Sequence, residues 1–112
     1  MSRWTIEYWT DASGKKSVEK WLDDLTNDQL KSVAKELKLL ELCGNELKLP
    51  HSRSLGKGLF ELRERRFCYR IYYGFYTSRI IILLEAGDKK TQKSDIALAR
   101  ARLAKLINTK EA

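Results

Sequence analysis

The chain has 112 residues, which is the length of one domain, so residues 1–112 are predicted to form a single domain. Hydrophobic residues at 43% and aromatic residues at 10%, with one proline, allow a modest core and exclude disorder over most of the chain. No apolar stretch approaches the roughly 20 residues of a membrane helix. We therefore expect a soluble, cytoplasmic protein with no membrane segment.

Positive charge is concentrated in the second part of the chain, and the formal net charge of the whole is +7. Residues 1–47 contain 7 Lys+Arg and 9 Asp+Glu, so their net charge is −2, whereas residues 48–112 contain 15 and 6, giving +9. An evenly solvated surface does not segregate its charges in this way, so a phosphate-binding face is favoured over a merely basic surface. The charge alone does not distinguish a nucleic acid from an acidic protein partner.

One strand and two helices are predicted in the first half. Residues 4–9 are aromatic and β-branched and end at the turn-forming segment 11–14, which is typical of a strand. Ser17 is predicted to cap a short helix with apolar residues at i, i+3, i+4 and i+7. A longer amphipathic helix is predicted from about residue 28 to a stop at Gly44.

The second half changes character after a predicted loop at residues 47–58. Three strand-like runs, at residues 59–65, 67–77 and 79–86, have short connections and predict an antiparallel meander. A final helix is predicted over residues 94–107. The order β-α-α-β-β-β-α, with the first strand joining the meander, predicts an α+β fold with a four-stranded antiparallel sheet, two N-terminal helices and a C-terminal helix.

Two arginines are predicted to face each other across the first hairpin of the meander. If the turn is centred on Arg66 and Phe67, Arg63 lies opposite Arg70, and cross-strand partners share a face of the sheet. Like charges in this position are unfavourable unless an anion joins them. The pair is therefore more easily explained as a phosphate site than as a structural feature, although a one-residue slip in register would separate it.

Tyrosines surround this pair in sequence. Tyr72 has the same parity as Arg70 along the strand, whereas Tyr73 belongs to the alternate face. Aromatic side chains beside arginines are suited to stacking on unpaired RNA bases. For each tyrosine singly, ordinary sheet packing is an equally good interpretation.

A lysine-rich segment, residues 89–93, follows the third run of the meander. Such a run is usually a solvated loop, but here it follows a strand end beside the arginine hairpin, where loop groups are positioned on a substrate. His51 lies in the irregular loop and is predicted to have no catalytic role. Cys43 and Cys68 are far apart and lack zinc spacing, so neither metal nor cofactor is predicted.

Three motifs together resemble the RelE/HigB toxins, and most closely their phage-derived HigB-like branch. They are LGKGLFELR at residues 55–63, YRIYY at 69–73 and KKTQK at 89–93, followed by a final helix rich in Ala and Arg. The likeness covers about residues 50–107. It implies the toxin of a type II toxin-antitoxin system, which cleaves mRNA on the ribosome without a metal and is silenced by a cognate helix-turn-helix antitoxin.

The resemblance also implies roles for particular residues. The chemistry expected of the family is attack of a 2′-hydroxyl on the adjacent phosphate, which cationic groups assist by stabilising the added negative charge. Arg63 and Arg70 are assigned to that charge, and Lys89 and Lys90 to holding phosphates or moving a proton. Further candidates for RNA contact are Lys57, Tyr72, Tyr73, Gln92 and Lys93.

One departure and two alternatives stay open. Some relatives have a histidine or tyrosine directly after the third meander strand that acts as acid or base; its absence here leaves proton transfer unassigned. The first alternative is a ParE-like toxin of the same fold that poisons DNA gyrase without cutting RNA. The second is a nonenzymatic RNA-binding module, which would bind RNA in a strongly salt-dependent way without producing cleavage products.

Overall fold

The α+β class is confirmed by a computed structural model, which describes residues 3–111, with side chains up to residue 108. Its elements are β1 (Thr5–Tyr8), α1 (Ser17–Asp23), α2 (Asn27–Cys43), a 3-10 turn (Gly44–Glu46), β2 (Ser52–Gly56), β3 (Leu59–Glu64), β4 (Tyr69–Phe75), β5 (Ile80–Gly87) and α3 (Gln92–Glu111). None of the described helices combines the length and apolar character that a membrane crossing requires.

The strands form one mixed sheet in the order β1-β5-β4-β3-β2. The predicted antiparallel meander is present as β3, β4 and β5. The prediction of four antiparallel strands is wrong in two respects, because the described sheet has a fifth strand, β2, and because β1 runs parallel to β5. The side-chain pattern of a strand shows which face is buried but not the direction of the neighbour, so the orientation of β1 was not readable from its residues.

Strand β2 occupies part of the segment that was predicted to be a loop. Its residues are Ser-Arg-Ser-Leu-Gly, which lack apolar alternation because β2 is an edge strand that pairs only with β3. The pairing is interrupted between Ser54 and Gly56, and Gly56 has φ +89°, a conformation that glycine adopts readily. The edge strand brings Arg53 directly opposite Glu61 of β3.

Helices cover both faces of the sheet. On one face α1 and α2 bury Val18, Leu22, Val33 and Leu40 against a cluster that includes Ile71, Tyr73, Ile81 and Leu83. On the other face Ala99 and Leu103 of α3 pack against Leu59, Tyr72, Ile82 and Leu84. Consecutive residues of β4 thus enter opposite cores, which is the predicted alternation of the strand.

Two helix starts differ from the prediction. Ser17 does not cap α1: the cap position is Lys16, and the Ser17 hydroxyl instead accepts a 3.0 Å hydrogen bond from Nη1 of Arg102. Helix α3 begins at Gln92, two residues earlier than predicted, because Thr91 donates its hydroxyl to the Asp95 carboxylate and accepts the Asp95 N–H. The earlier start places Gln92 in the first turn of α3, next to the sheet.

Candidate functional site

The predicted pairing of Arg63 with Arg70 is confirmed by the register of β3 and β4. The connecting turn is held by the buried carboxylate of Glu64, which accepts hydrogen bonds from the backbone N–H groups of Arg66 at 3.0 Å and Phe67 at 2.9 Å. By accepting these backbone hydrogen bonds, the carboxylate holds the turn in one conformation. The conformation of the turn then determines the register of the hairpin. The two arginines therefore lie side by side on the face that α3 covers.

A buried acidic residue, Glu61, lies at the centre of these cations. Its side chain is fully buried, and three guanidinium groups approach it: Arg53 at 3.3 Å, Arg63 at 3.8 Å and Arg70 at 3.7 Å. The amide Nε2 of Gln92 donates a 3.0 Å hydrogen bond to its Oε2. Because burying a carboxylate is costly unless it is paired, these four partners explain why a glutamate is tolerated here. We name these five residues the arginine cluster: Arg53, Glu61, Arg63, Arg70 and Gln92.

The arginine cluster retains hydrogen-bonding capacity. Four buried side-chain atoms in the described part of the chain have no hydrogen-bond partner: Glu61 Oε1, Arg63 Nε and Arg70 Nε in the cluster, and the hydroxyl of Tyr72, the residue opposite Glu61 on β4. Unpaired buried polar atoms are rare in native proteins and destabilise the fold unless they serve another purpose. Three of the four are hydrogen-bond donors, so donors outnumber acceptors in this buried region.

Tyr72 lies beneath the arginines, directly opposite Glu61 across β3 and β4. Burial is the main cause that raises the pKa of its hydroxyl well above the ordinary value, and the Glu61 carboxylate raises it further. The hydroxyl therefore stays protonated at neutral pH, and among the described residues it has no hydrogen-bond partner. Its ring is fully buried, so it supports the site from below and is not placed to stack on a base.

The lysine-rich loop begins beside the arginine cluster, since Gly87 at the end of β5 is the ladder partner of Arg70. The loop is shaped by Asp88, whose Oδ1 accepts the N–H groups of Lys90 at 2.9 Å and Thr91 at 3.2 Å. The three lysines of this segment, Lys89, Lys90 and Lys93, are exposed. The first turn of α3 adds the positive end of a helix dipole to the same region.

Two predicted site residues are not brought to the arginine cluster. Tyr73 lies on the opposite face, where its hydroxyl is 2.6 Å from the Ser52 hydroxyl and its ring stacks on Phe60, so it belongs to the core under α1 and α2. Lys57 is exposed in the β2–β3 turn, at the end of β3 remote from Arg63. The motif positions alone did not separate these two residues from Arg63, Arg70 and Gln92.

The residues that the sequence analysis missed are Glu61 and Arg53. Arg53 faces Glu61 only because β2 forms, and β2 was not predicted. Glu61 alternates with apolar residues in β3 and so has the pattern of a solvent-facing position, but α3 covers this face through Gln92. A signal was available in the parity, because Glu61, Arg63, Arg70 and Tyr72 share one face once the hairpin register is accepted.

His51 has a structural partner. Its Nδ1 lies 2.8 Å from Oε1 of Glu36 on α2, which ties the loop before β2 to the helix. Within the described residues, no group of three or more His, Cys, Asp and Glu side chains is arranged to hold a metal ion.

Two carboxyl groups close to the site are partly desolvated. Burial raises the pKa of Glu85, with Asp95 adding to the increase, while the Ala86 N–H and the Arg102 guanidinium oppose it. Burial likewise raises the pKa of Asp95, with a further contribution from Asp88, against the hydrogen bond from Thr91.

The raised pKa of Glu85 predicts that the stability of the protein depends on pH. A carboxyl group whose pKa is higher in the folded state is protonated more often in the folded protein than in the unfolded chain. Its contribution to the free energy of unfolding is therefore complete below the unfolded pKa of about 4.3 and is lost as the pH rises through the folded pKa. Glu85→Gln removes this contribution. The stability of the wild-type chain relative to Glu85→Gln, measured by urea unfolding, should therefore fall as the pH rises above about 4.3, the ordinary pKa of a glutamate. A difference that stays constant or rises with pH would contradict the raised pKa of Glu85.

Comparison with known proteins identifies the family. The family model described as "Phage derived protein Gp49-like (DUF891)" matches residues 20–104, which is more than half of the chain and includes β2 to β5, the arginine cluster and most of α3. No curated protein matches the chain. Because the family model covers most of the chain, the chain belongs to the phage-derived Gp49-like family, a family of RelE-like, toxin-type proteins.

Proposed function

We propose that the protein is the HigB-like toxin of a type II toxin-antitoxin system and that it cleaves mRNA at the arginine cluster. The observation that carries the proposal is the cross-strand pair Arg63 and Arg70, whose buried Nε atoms face Glu61 and whose guanidinium groups reach the surface. Glu61 neutralises only one of the three positive charges around it, so the remaining like charges become favourable when a further anion binds. A phosphate of an RNA chain is such an anion.

The proposed reaction is an internal transfer at phosphorus. The 2′-hydroxyl of one nucleotide loses its proton and attacks the adjacent phosphate, and the bond to the 5′-oxygen of the next nucleotide breaks as that oxygen takes up a proton. The products are a 2′,3′-cyclic phosphate and a 5′-hydroxyl. The intermediate phosphorane has one more negative charge than the phosphate, so groups that contact it gain strength as the reaction proceeds.

The two central arginines fit this requirement. Their guanidinium groups come from neighbouring strands of a sheet, and elements of regular structure hold catalytic groups more rigidly than loops do. Arg63 and Arg70 have side chains 31% and 11% exposed, so each reaches the surface from a largely buried stem. In a partly dehydrated position of this kind a charge interacts more strongly with a developing charge than it would in water. No metal is needed for this role, because the arginines supply the positive charge.

The surrounding residues have supporting roles in this proposal. Lys89, Lys90 and Lys93 lie on the exposed loop and first turn of α3, where they would hold neighbouring phosphates of the chain, and Lys89 or Lys90 would assist proton transfer. Gln92 holds the Glu61 carboxylate by a hydrogen bond, and Tyr72 lies opposite Glu61 on the neighbouring strand. Lys57 would contact a more distant part of the RNA or the ribosome, since it lies at the other end of β3.

The partners follow from the same proposal. The substrate is mRNA on the translating ribosome in the cytoplasm, and a helix-turn-helix antitoxin would neutralise the toxin. Two observations support a protein partner: the net charge of +7, which an acidic segment would complement, and Leu30 and Leu42 on α2, which remain 40% and 42% exposed.

The proposal is tested by adding the purified protein to a reconstituted translation reaction and, separately, to the same mRNA without ribosomes. We expect new RNA ends only in the translating reaction, and these ends should accept a labelled phosphate from polynucleotide kinase without prior phosphatase treatment, because they carry a 5′-hydroxyl. Intact mRNA together with gyrase-dependent DNA breaks in arrested cells would overturn the proposal in favour of a gyrase poison. Salt-sensitive RNA binding without any cleavage would indicate a binding module.

A further inference from the structure

The central acidic residue of the cluster has no role in the reaction described above, although it contacts every other member. Glu61 is fully buried, its Oε1 faces Arg53 and Arg63, and its Oε2 faces Arg70 and Gln92. A carboxylate without any exposed surface serves neither solubility nor direct RNA contact, which it would oppose by repelling phosphate. The groups on which it can act are therefore the arginines that surround it.

The geometry indicates how it acts on Arg63 and Arg70. Both approach the carboxylate with Nε, the nitrogen nearest the side-chain stem, at 3.8 and 3.7 Å. These distances are too long for a hydrogen bond, and among the described residues no side chain hydrogen-bonds to the terminal nitrogens of either arginine. The carboxylate thus attracts the stem side of each guanidinium and leaves its outer edge for a ligand.

Charge balance gives Glu61 a second effect. Arg53, Arg63 and Arg70 carry three positive charges around one negative charge, so the four side chains together have a net charge of +2. Without the carboxylate, three mutually repelling cations would face one phosphate. Such a site would bind the ground-state phosphate and the cleaved product more tightly, while the guanidiniums would lose their common orientation. Binding that is equally strong in the ground state does not increase the rate of the chemical step.

We propose that Glu61 is a positioning residue that orients Arg63 and Arg70 toward the scissile phosphate and limits how tightly the site holds RNA. This inference rests on the proposed function. It makes a distinctive prediction, because removing the charge should strengthen RNA binding and weaken cleavage, whereas loss of a merely structural residue would weaken both.

Three variants separate the orienting effect from the charge effect. Glu61→Gln keeps the size of the side chain and removes its charge, and Glu61→Asp keeps the charge but withdraws it by one methylene group. Glu41→Gln on α2 is the control for total charge, since Glu41 pairs with Lys38 and Arg3 away from the cluster. The measurements are the dissociation constant for a 2′-O-methylated, uncleavable oligonucleotide over a range of salt, and the single-turnover rate of mRNA cleavage at saturating protein.

For Glu61→Gln we expect the oligonucleotide to bind several-fold more tightly. The slope of log affinity against log salt concentration should also become steeper, by the equivalent of up to about one additional phosphate contact. Its cleavage rate should fall by roughly 10- to 100-fold, the size expected for displaced catalytic groups. Glu61→Asp should bind with nearly wild-type affinity and also cleave slowly. Glu41→Gln should cleave at the wild-type rate.

The inference is overturned if Glu61→Gln cleaves as fast as the wild type, or if both variants lose affinity and rate together. If the variants do not fold, hydrogen exchange measured by NMR on the wild-type chain still tests the inference. In the ¹⁵N spectrum, the Nε–H groups of Arg63 and Arg70 should exchange with water more slowly than that of the exposed Arg79; equal exchange would overturn the inference. If the wild type does not cleave RNA at all, the proposed function fails, while the spectra and the oligonucleotide affinities still report on Glu61.

Discussion

Replacing Arg70 with alanine is expected to reduce the rate of mRNA cleavage by about 10²- to 10³-fold, the usual effect of removing one group that stabilises transition-state charge. Arg70 lies between Arg63 on β3 and Gly87 on β5, so it occupies the middle of the site. Arg63→Ala should have an effect of similar size. Because both arginines would act on one phosphorane in the proposed reaction, the double variant should lose less than the product of the two single effects.

The fold should survive these substitutions. Removing either arginine relieves a like-charge contact and leaves Glu61 two arginines and Gln92 as partners. Circular dichroism should therefore stay close to that of the wild type, whereas the urea midpoint should fall because the buried Glu61 carboxylate has lost one of its cationic partners. Arg79→Ala is the matched control, since Arg79 is an exposed arginine at the opposite end of β4 and β5, and it should cleave normally. Wild-type cleavage by both Arg63→Ala and Arg70→Ala would place the chemistry elsewhere on the molecule.

Replacing Gly44 with alanine is expected to destabilise the protein by about 3 to 5 kcal/mol, which approaches the whole stability of a small domain. Gly44 ends α2 with φ 52° and ψ −123°, a combination that side chains with a Cβ avoid. It is also buried, and an added Cβ would overlap the indole ring of Trp4. Backbone strain of roughly 1–3 kcal/mol and overpacking of roughly 1–3 kcal/mol therefore act together.

The measurement is urea unfolding of Gly44→Ala beside Gly14→Ala. Gly14 also has a positive φ, +88°, but an added Cβ there meets nothing within 4 Å. Gly14→Ala should therefore show only the strain, about 1 kcal/mol. Equal midpoint shifts in the two variants would mean that the contact with Trp4 has no energetic weight.

Local patterns in the sequence predicted the meander and its register. The hairpin of β3 and β4 is closed by a turn of four residues, so counting from its centre was sufficient to place Arg63 opposite Arg70. The stop of α2 at Gly44 was predictable for the same reason, since a glycine ended a periodic apolar stripe.

Features that depend on contacts between distant segments were not predictable from one sequence. Strand β2 has few apolar residues and forms because the free edge of β3 is available to it. The direction of β1 depends on its pairing with β5, more than seventy residues away. Strand β5 also has one extra residue, Leu84, opposite the bond between Tyr72 and Tyr73 of β4. This bulge changes which residues of β5 face α3.

The candidate site shows the same division. The arginines and lysines were identified from motifs, and the structure brings Arg63, Arg70 and Gln92 together. Glu61 was missed because its burial requires both the edge strand β2 and the first turn of α3. Tyr73 was included because it stands within the YRIYY motif, although its parity already assigned it to the opposite face.

In the proposed function, the pair Arg63 and Arg70 promotes cleavage of mRNA by its own 2′-hydroxyl. The most direct test is to induce the wild-type chain and Arg70→Ala in bacteria and to map all new 5′-hydroxyl ends of mRNA across the transcriptome. We predict codon-phased 5′-hydroxyl ends that accumulate with the wild type and disappear with Arg70→Ala. Growth arrest by the wild type with intact mRNA, or cleavage that persists in Arg70→Ala, would contradict the claim.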